Sequence, residues 1–88
     1  MKFNELKFEE VERRGIQAWA TFRNGFEVSV VKHQFSYGGE KGLYEMGVFD
    51  NQRTGMNAMC DPLDWGDTVK GWLAPEDVDK ELELLEAL

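Results

Sequence analysis

Apolar and polar positions alternate most regularly in the middle of the chain. Ile16 to Phe22 and Phe26 to Lys32 are rich in aromatic and β-branched residues, and Asn24-Gly25 lies between them. Asn-Gly favours a two-residue hairpin turn, because both central positions need positive φ. That turn predicts a register in which Thr21 faces Val28, Trp19 faces Val30 and Gln17 faces Lys32. Since side chains alternate across a strand, one face would then carry Trp19, Phe26, Val28 and Val30. The other would carry Ile16, Ala18, Ala20, Phe22, Glu27, Ser29 and Val31. A third strand is expected over Leu43–Phe49 and a short fourth over Met56–Cys60.

The pattern changes near the C-terminus. Pro75 to Leu88 advances with helical period, placing Val78, Leu82 and Leu85 on one stripe with Leu88 beside it and Leu84 off it. Proline suits the first helical position, Glu76 and Asp77 suit the first turn, and Leu73 is spaced to staple against Val78. Between sheet and helix, residues 61–74 predict a loop with a short helical turn. Trp65 and Trp72, with Leu63, Val69 and Leu73, would close one end of the core. Residues 1–15 fit either a capped helix or, slightly better, an extended segment. The expected fold is α+β: one domain over residues 1–88, with a three- to four-stranded antiparallel meander at 16–60. One amphipathic C-terminal helix, at 75–88, packs on one face of it.

Charge sharpens this outline. The chain has a formal net charge of −7. Residues 1–60 are balanced, with eight basic and eight acidic side chains, whereas residues 61–88 hold Lys70 and Lys80 against nine acids. That argues against direct nucleic-acid binding and against an anionic membrane surface, both of which need clustered Lys or Arg. Met1 to Glu10 is too charged for a secretory leader, and no apolar run approaches the ~20 residues of a membrane span. With Cys60 as the lone cysteine, no intrachain disulfide forms, which fits a reducing compartment.

Candidate chemistry is sparse. Ser36 to Gly42 is glycine-rich, but it leads into a strand rather than a helix, so it reads as a mobile surface loop and not a phosphate cradle. His33 and Cys60 would form a nucleophile pair only if the fold joined them. Asp61, Asp64 and Asp67 lack the order of an EF-hand and read as a solvated, capping loop. No catalytic, metal or cofactor residues are assigned. The outer helix face, Glu76, Asp79, Glu83 and Glu86, is the first interaction candidate. Its ordinary role is solvation, and its sharper role is mimicry of DNA phosphates toward a basic cleft. The second is the sheet face left bare by the helix, marked by Ala20 and Phe22, which is suited to the N-terminal segment, a second copy or another protein. Tyr37, in the glycine-rich loop, joins these candidates.

Three segments together resemble a group of small proteins of tailed bacteriophages: Asn24 to Val31, Phe35-Ser36-Tyr37-Gly38-Gly39, and Gly42-Leu43-Tyr44-Glu45. Val69 to Leu73 before an acidic helix start adds to the likeness, which spans roughly Asn24 to the C-terminus. Arg23 departs from the aspartate common there, and Asn57 to Asp67 is more irregular than usual, which puts the fourth strand in doubt. The resemblance implies a phage origin and the host cytoplasm. It supplies no catalytic residues, since no biochemical activity is assigned to the group. The resulting expectation is a non-catalytic, cofactor-free accessory protein that binds a host or phage protein and can form a homodimer. The alternatives are an acidic DNA mimic, a minor virion component and, more remotely, a Cys/His enzyme.

Overall fold

The computed structural model describes residues 1–12, 14–53 and 58–88. A 3-10 turn at Phe3–Glu5 leads into a short strand β1 (Glu9–Val11), followed by the hairpin β2 (Gly15–Thr21) and β3 (Phe26–Lys32), then β4 (Tyr44–Asp50). Each strand pairs antiparallel with the one before it. Two further strands, β5 (Met59–Cys60) and β6 (Val69–Leu73), share the outer edge of β4 end to end. The helix α1 (Pro75–Glu86) follows. The fold is therefore α+β, an antiparallel sheet covered on one face by a C-terminal helix. It has more strands than expected, because β1 forms in the N-terminal segment and β6 occupies the stretch predicted to be loop and helical turn. The Met56–Asn57 part of the expected fourth strand lies outside the described residues.

The hairpin register differs from expectation by one residue. Ala20 pairs with Val28, Trp19 with Ser29 and Ala18 with Val30. The loop has three residues, Arg23 to Gly25, closed by Phe22 N–H to Phe26 O at 2.8 Å and Gly25 N–H to Phe22 O at 3.1 Å. Gly25 takes φ +91°, the left-handed conformation that glycine adopts freely and that ends such loops. A slip of one residue turns every side chain of a strand to the other face. Ala18, Ala20 and Phe22 thus join Val28, Val30, Met46 and Val48 in the core, with Val78, Leu82 and Leu85 of α1. Trp19 moves to the opposite face. Two alanines on β2 leave room for a helix that a tryptophan would hold off. Asn24 then donates from Nδ2 to Leu85 O at 2.8 Å and to Leu88 O at 3.2 Å, so the hairpin turn caps the C-terminus of α1.

At its N-terminus α1 is held by Asp77, whose carboxylate accepts the Ala74 amide at 3.0 Å. The expected stripe is fully buried, and Leu84 and Leu88 are exposed. Glu81 also lies on the buried side. The N-terminal segment covers the rest of the same sheet face. Phe3, Phe8 and Tyr44 form a cluster with ring centroids 5.1 to 5.5 Å apart, and Lys32 Nζ sits 4.9 Å from the Tyr44 ring centre.

Candidate functional site

The sheet is asymmetric, and that decides which surfaces are available. Its uncovered face carries the row Trp19, Ser29, Gly47, Val69, with Trp19 leaning on Phe49 at 5.5 Å. Gln17 Nε2 bonds Ser29 Oγ at 2.8 Å across it. Ala20 and Phe22, assigned to an exposed face from the sequence, are instead buried beneath α1. The cause is the three-residue turn, so neither side chain is available to a partner.

The acidic stripe is only partly free. Asp79 accepts the Phe3 amide, Glu86 takes the Met1 amino group, and Lys2 Nζ lies 3.9 Å from Glu83. The N-terminal segment therefore lies along the stripe as a strap and brings positive charge to it. Glu76 stands outside these contacts. The hydrogen bond that Glu86 accepts from the Met1 amine is the main reason that this amine titrates above its ordinary range.

Glu81 went unnoticed in the sequence, where it looked like one more solvated acid. It is 5% exposed and accepts Lys70 Nζ at 2.5 Å and Trp65 Nε1 at 3.3 Å. Lys70 pairs with Met46 in the sheet and so points to the helix side. The aspartate loop serves its own backbone. Asp61 accepts the amides of Trp65 and Gly66 at 2.7 and 2.8 Å, and Asp67 that of Thr68 at 2.6 Å. Among the described residues no group of three or more His, Cys, Asp or Glu is placed to hold a metal ion. His33 follows β3 at the Leu43 end of the sheet, whereas Cys60 pairs with Val48. The offset is roughly 16 Å along the strands at ~3.3 Å per residue, so the two are not brought together. Partial burial, then Asp50, pushes the Cys60 thiol up, away from nucleophilic use.

Tyr37 is where the sequence placed it, on the surface, but in company the sequence did not show. Phe35, Tyr37 and Trp72 are 66%, 58% and 58% exposed, and they border an open concavity of about 320 Å³ with Gln34, Glu40 and Lys41 on its rim. Trp72 was expected in the core. It is turned outward by a bulge in β6, where the register against β4 shifts between Tyr44 and Met46 and Trp72 takes φ +60°. A left-handed tryptophan costs about 1–2 kcal/mol, and bulges re-aim side chains in this way. Gly71 before it admits the loop at close range: a Cβ there would stand 2.2 Å from Tyr37 Cβ. A lone glycine in a strand pattern is the one sequence signal for this bulge.

The loop bearing Phe35 and Tyr37 is braced. Ser36 Oγ accepts the His33 amide and donates to His33 O, both at 2.9 Å. The Phe35 amide donates to His33 Nδ1 at 3.1 Å, and the Tyr37 amide to Glu45 Oε2 at 2.7 Å. Trp72 N–H donates to Tyr37 O at 3.0 Å, joining loop to bulge. No helix among the described residues is long and apolar enough to cross a membrane. No protein-family model, no curated protein and no solved structure matches this chain.

Proposed function

We propose that this is a small non-catalytic binding protein that engages a protein partner through the Phe35–Tyr37–Trp72 surface. One observation carries the proposal: three large aromatic side chains are held outward together, one of them by a strained backbone. Strain of this kind persists where the surroundings enforce it, and it concentrates at functional positions. Tyrosine and tryptophan are also the residues that most often anchor protein interfaces. The resemblance of Asn24 to Val31 and Phe35 to Gly39 to tailed-phage proteins is what directs this reading toward a host or phage protein as partner, and toward the host cytoplasm. The acidic helix face is the weaker docking candidate, because the N-terminal segment already engages Asp79, Glu83 and Glu86.

The test is differential capture from infected cells. A Tyr37→Ala/Trp72→Ala variant is expected to lose a partner that the wild type retains. A variant with Glu76, Glu83 and Glu86 changed to Gln and Asp79 to Asn is expected to keep it. The opposite pattern would transfer the function to the acidic face.

A further inference from the structure

We infer that the open part of β2, Ala18 to Thr21, is the contact surface for a second copy of this chain, joined antiparallel and edge to edge about a two-fold axis at Ala20. β1 covers only Gly15, Ile16 and Gln17 of that edge. Main-chain groups alternate between the two sides of a strand. Phe22 N–H turns inward to Phe26 O, and Gln17 turns outward to its partner Glu9. By that alternation the N–H and C=O of Trp19 and Thr21 point outward, and among the described residues no segment pairs with them. An unpaired edge is a template for another strand unless charge, proline or a bulge blunts it. Ala18-Trp19-Ala20-Thr21 has none of these. The opposite edge is blunted, because β5 has only two residues and β6 is bulged at Trp72.

Self-complementarity selects a second copy over a foreign strand. With Ala20 on the axis, Trp19 of each copy lies opposite Thr21 of the other, and every outward N–H of both strands finds a C=O. Ala20 meets its own counterpart at a non-hydrogen-bonded position, where Cα atoms approach to about 4.5 Å and a small side chain fits. The same register brings Arg23, the first residue of the β2–β3 turn, opposite Gln17 of the other copy and so beside its Glu9. Arg23 and Glu9 are exposed, and neither has an ion-pair partner among the described residues. A foreign strand would have to bring both charges, whereas a second copy supplies the pair twice, as an isologous interface does. β5 and β6 already abut end to end in this way along β4, against Val48 and Gly47. Every residue of the β2 edge belongs to the neutral stretch 1–60, so the excess acid of residues 61–88 is not part of it. The Phe35–Tyr37–Trp72 surface lies toward the opposite edge of the sheet, on the β6 side, and stays open in the pair.

The experiment is sedimentation equilibrium of the full chain, with amide hydrogen exchange read residue by residue. The mass is expected to rise from one chain at about 1 μM toward two at about 1 mM, the range of a small interface. The Trp19 and Thr21 amides should be protected at the high concentration and open at the low one. Thr21→Pro removes only an outward N–H, which an edge position tolerates, and should weaken association at least about tenfold with the circular dichroism unchanged. Arg23→Glu should weaken it about tenfold, and adding Glu9→Arg should restore it, which keeps the test decisive if the proline variant fails to fold. A strict monomer at about 1 mM would overturn the inference. So would a dimer whose Trp19 and Thr21 amides exchange as fast as in the monomer. So would one that the charge reversal leaves unchanged, or that the double variant fails to restore.

Discussion

Trp72 concentrates the main conflict at the scale of single residues. A large apolar side chain sits outside the core on a left-handed backbone, with Gly71 beside it as the only residue that fits against Tyr37. If the conformation is held for the sake of the surface, removing the side chain should relieve it. Trp72→Gly is therefore expected to raise stability by about 1 kcal/mol, whereas Trp72→Ala, which keeps a Cβ, should not. Urea denaturation of the two variants checks this. A loss of several kcal/mol in the glycine variant would mean that the exposed ring contributes more to the fold than its backbone costs. Tyr37 was legible as a surface candidate from its glycine-rich setting. Trp72 was not, because tryptophan in an apolar run reads as core until a bulge redirects it.

Among the elements, the contact between β6 and α1 is the least obvious from the sequence. Lys70 and Glu81 lie eleven residues apart, and the sequence alone puts one in a loop with a short helical turn and makes the other one more solvated acid of the helix. Antiparallel pairing with Met46 turns Lys70 inward, and the packing of α1 buries the carboxylate it meets. Their exposures differ, with the Lys70 side chain at 42% and that of Glu81 at 7%, so the two should not respond alike to mutation. Lys70→Met leaves a buried carboxylate with the Trp65 indole and is expected to cost about 3 kcal/mol. Glu81→Gln leaves a partly hydrated ammonium and should cost about 1 kcal/mol. Thermal and chemical denaturation of both variants would show the order, and a reversed order would refute the asymmetry. The same sheet shows why the hairpin was misjudged. Asn-Gly correctly marked the turn, but its length was decided by Ala18 and Ala20 packing under α1 and by Asn24 reaching the end of that helix.

Across the whole molecule, the charge separation seen in the sequence is partly neutralised by folding. The N-terminal strap lies along the acidic helix face, and its amine is held protonated above its ordinary value of 8.0, chiefly by the hydrogen bond to Glu86. A raised folded-state pKa stabilises below the unfolded value, and the contribution is lost as pH rises through the folded one. Tm is therefore expected to fall as pH climbs past 8, and chemically acetylating the N-terminus should flatten that fall. Lys and Tyr side chains and Cys60 remain titratable in the acetylated protein, which isolates the amine. An identical pH profile for both forms would show that the amine adds nothing and that the strap is held by its other contacts, the Phe3 amide on Asp79 and Phe3 and Phe8 on Tyr44.

The sequence by itself determined the elements that local rules control: the strands of the central meander, the amphipathic helix with Val78, Leu82 and Leu85 inward, and the concentration of acid in the last third. Each depends on periodicity, capping or composition within a short window. Tertiary structure decided which face of β2 joins Val28 and Val30 in the core, because one residue of register inverts the answer and the helix packed above favours the alanines over Trp19. It also decided which charges are solvated, since Glu81 and Glu83 differ in which side of one helix they occupy. Finally, it assembled the Phe35–Tyr37–Trp72 surface from segments more than thirty residues apart, through a bulge formed where β6 pairs with β4.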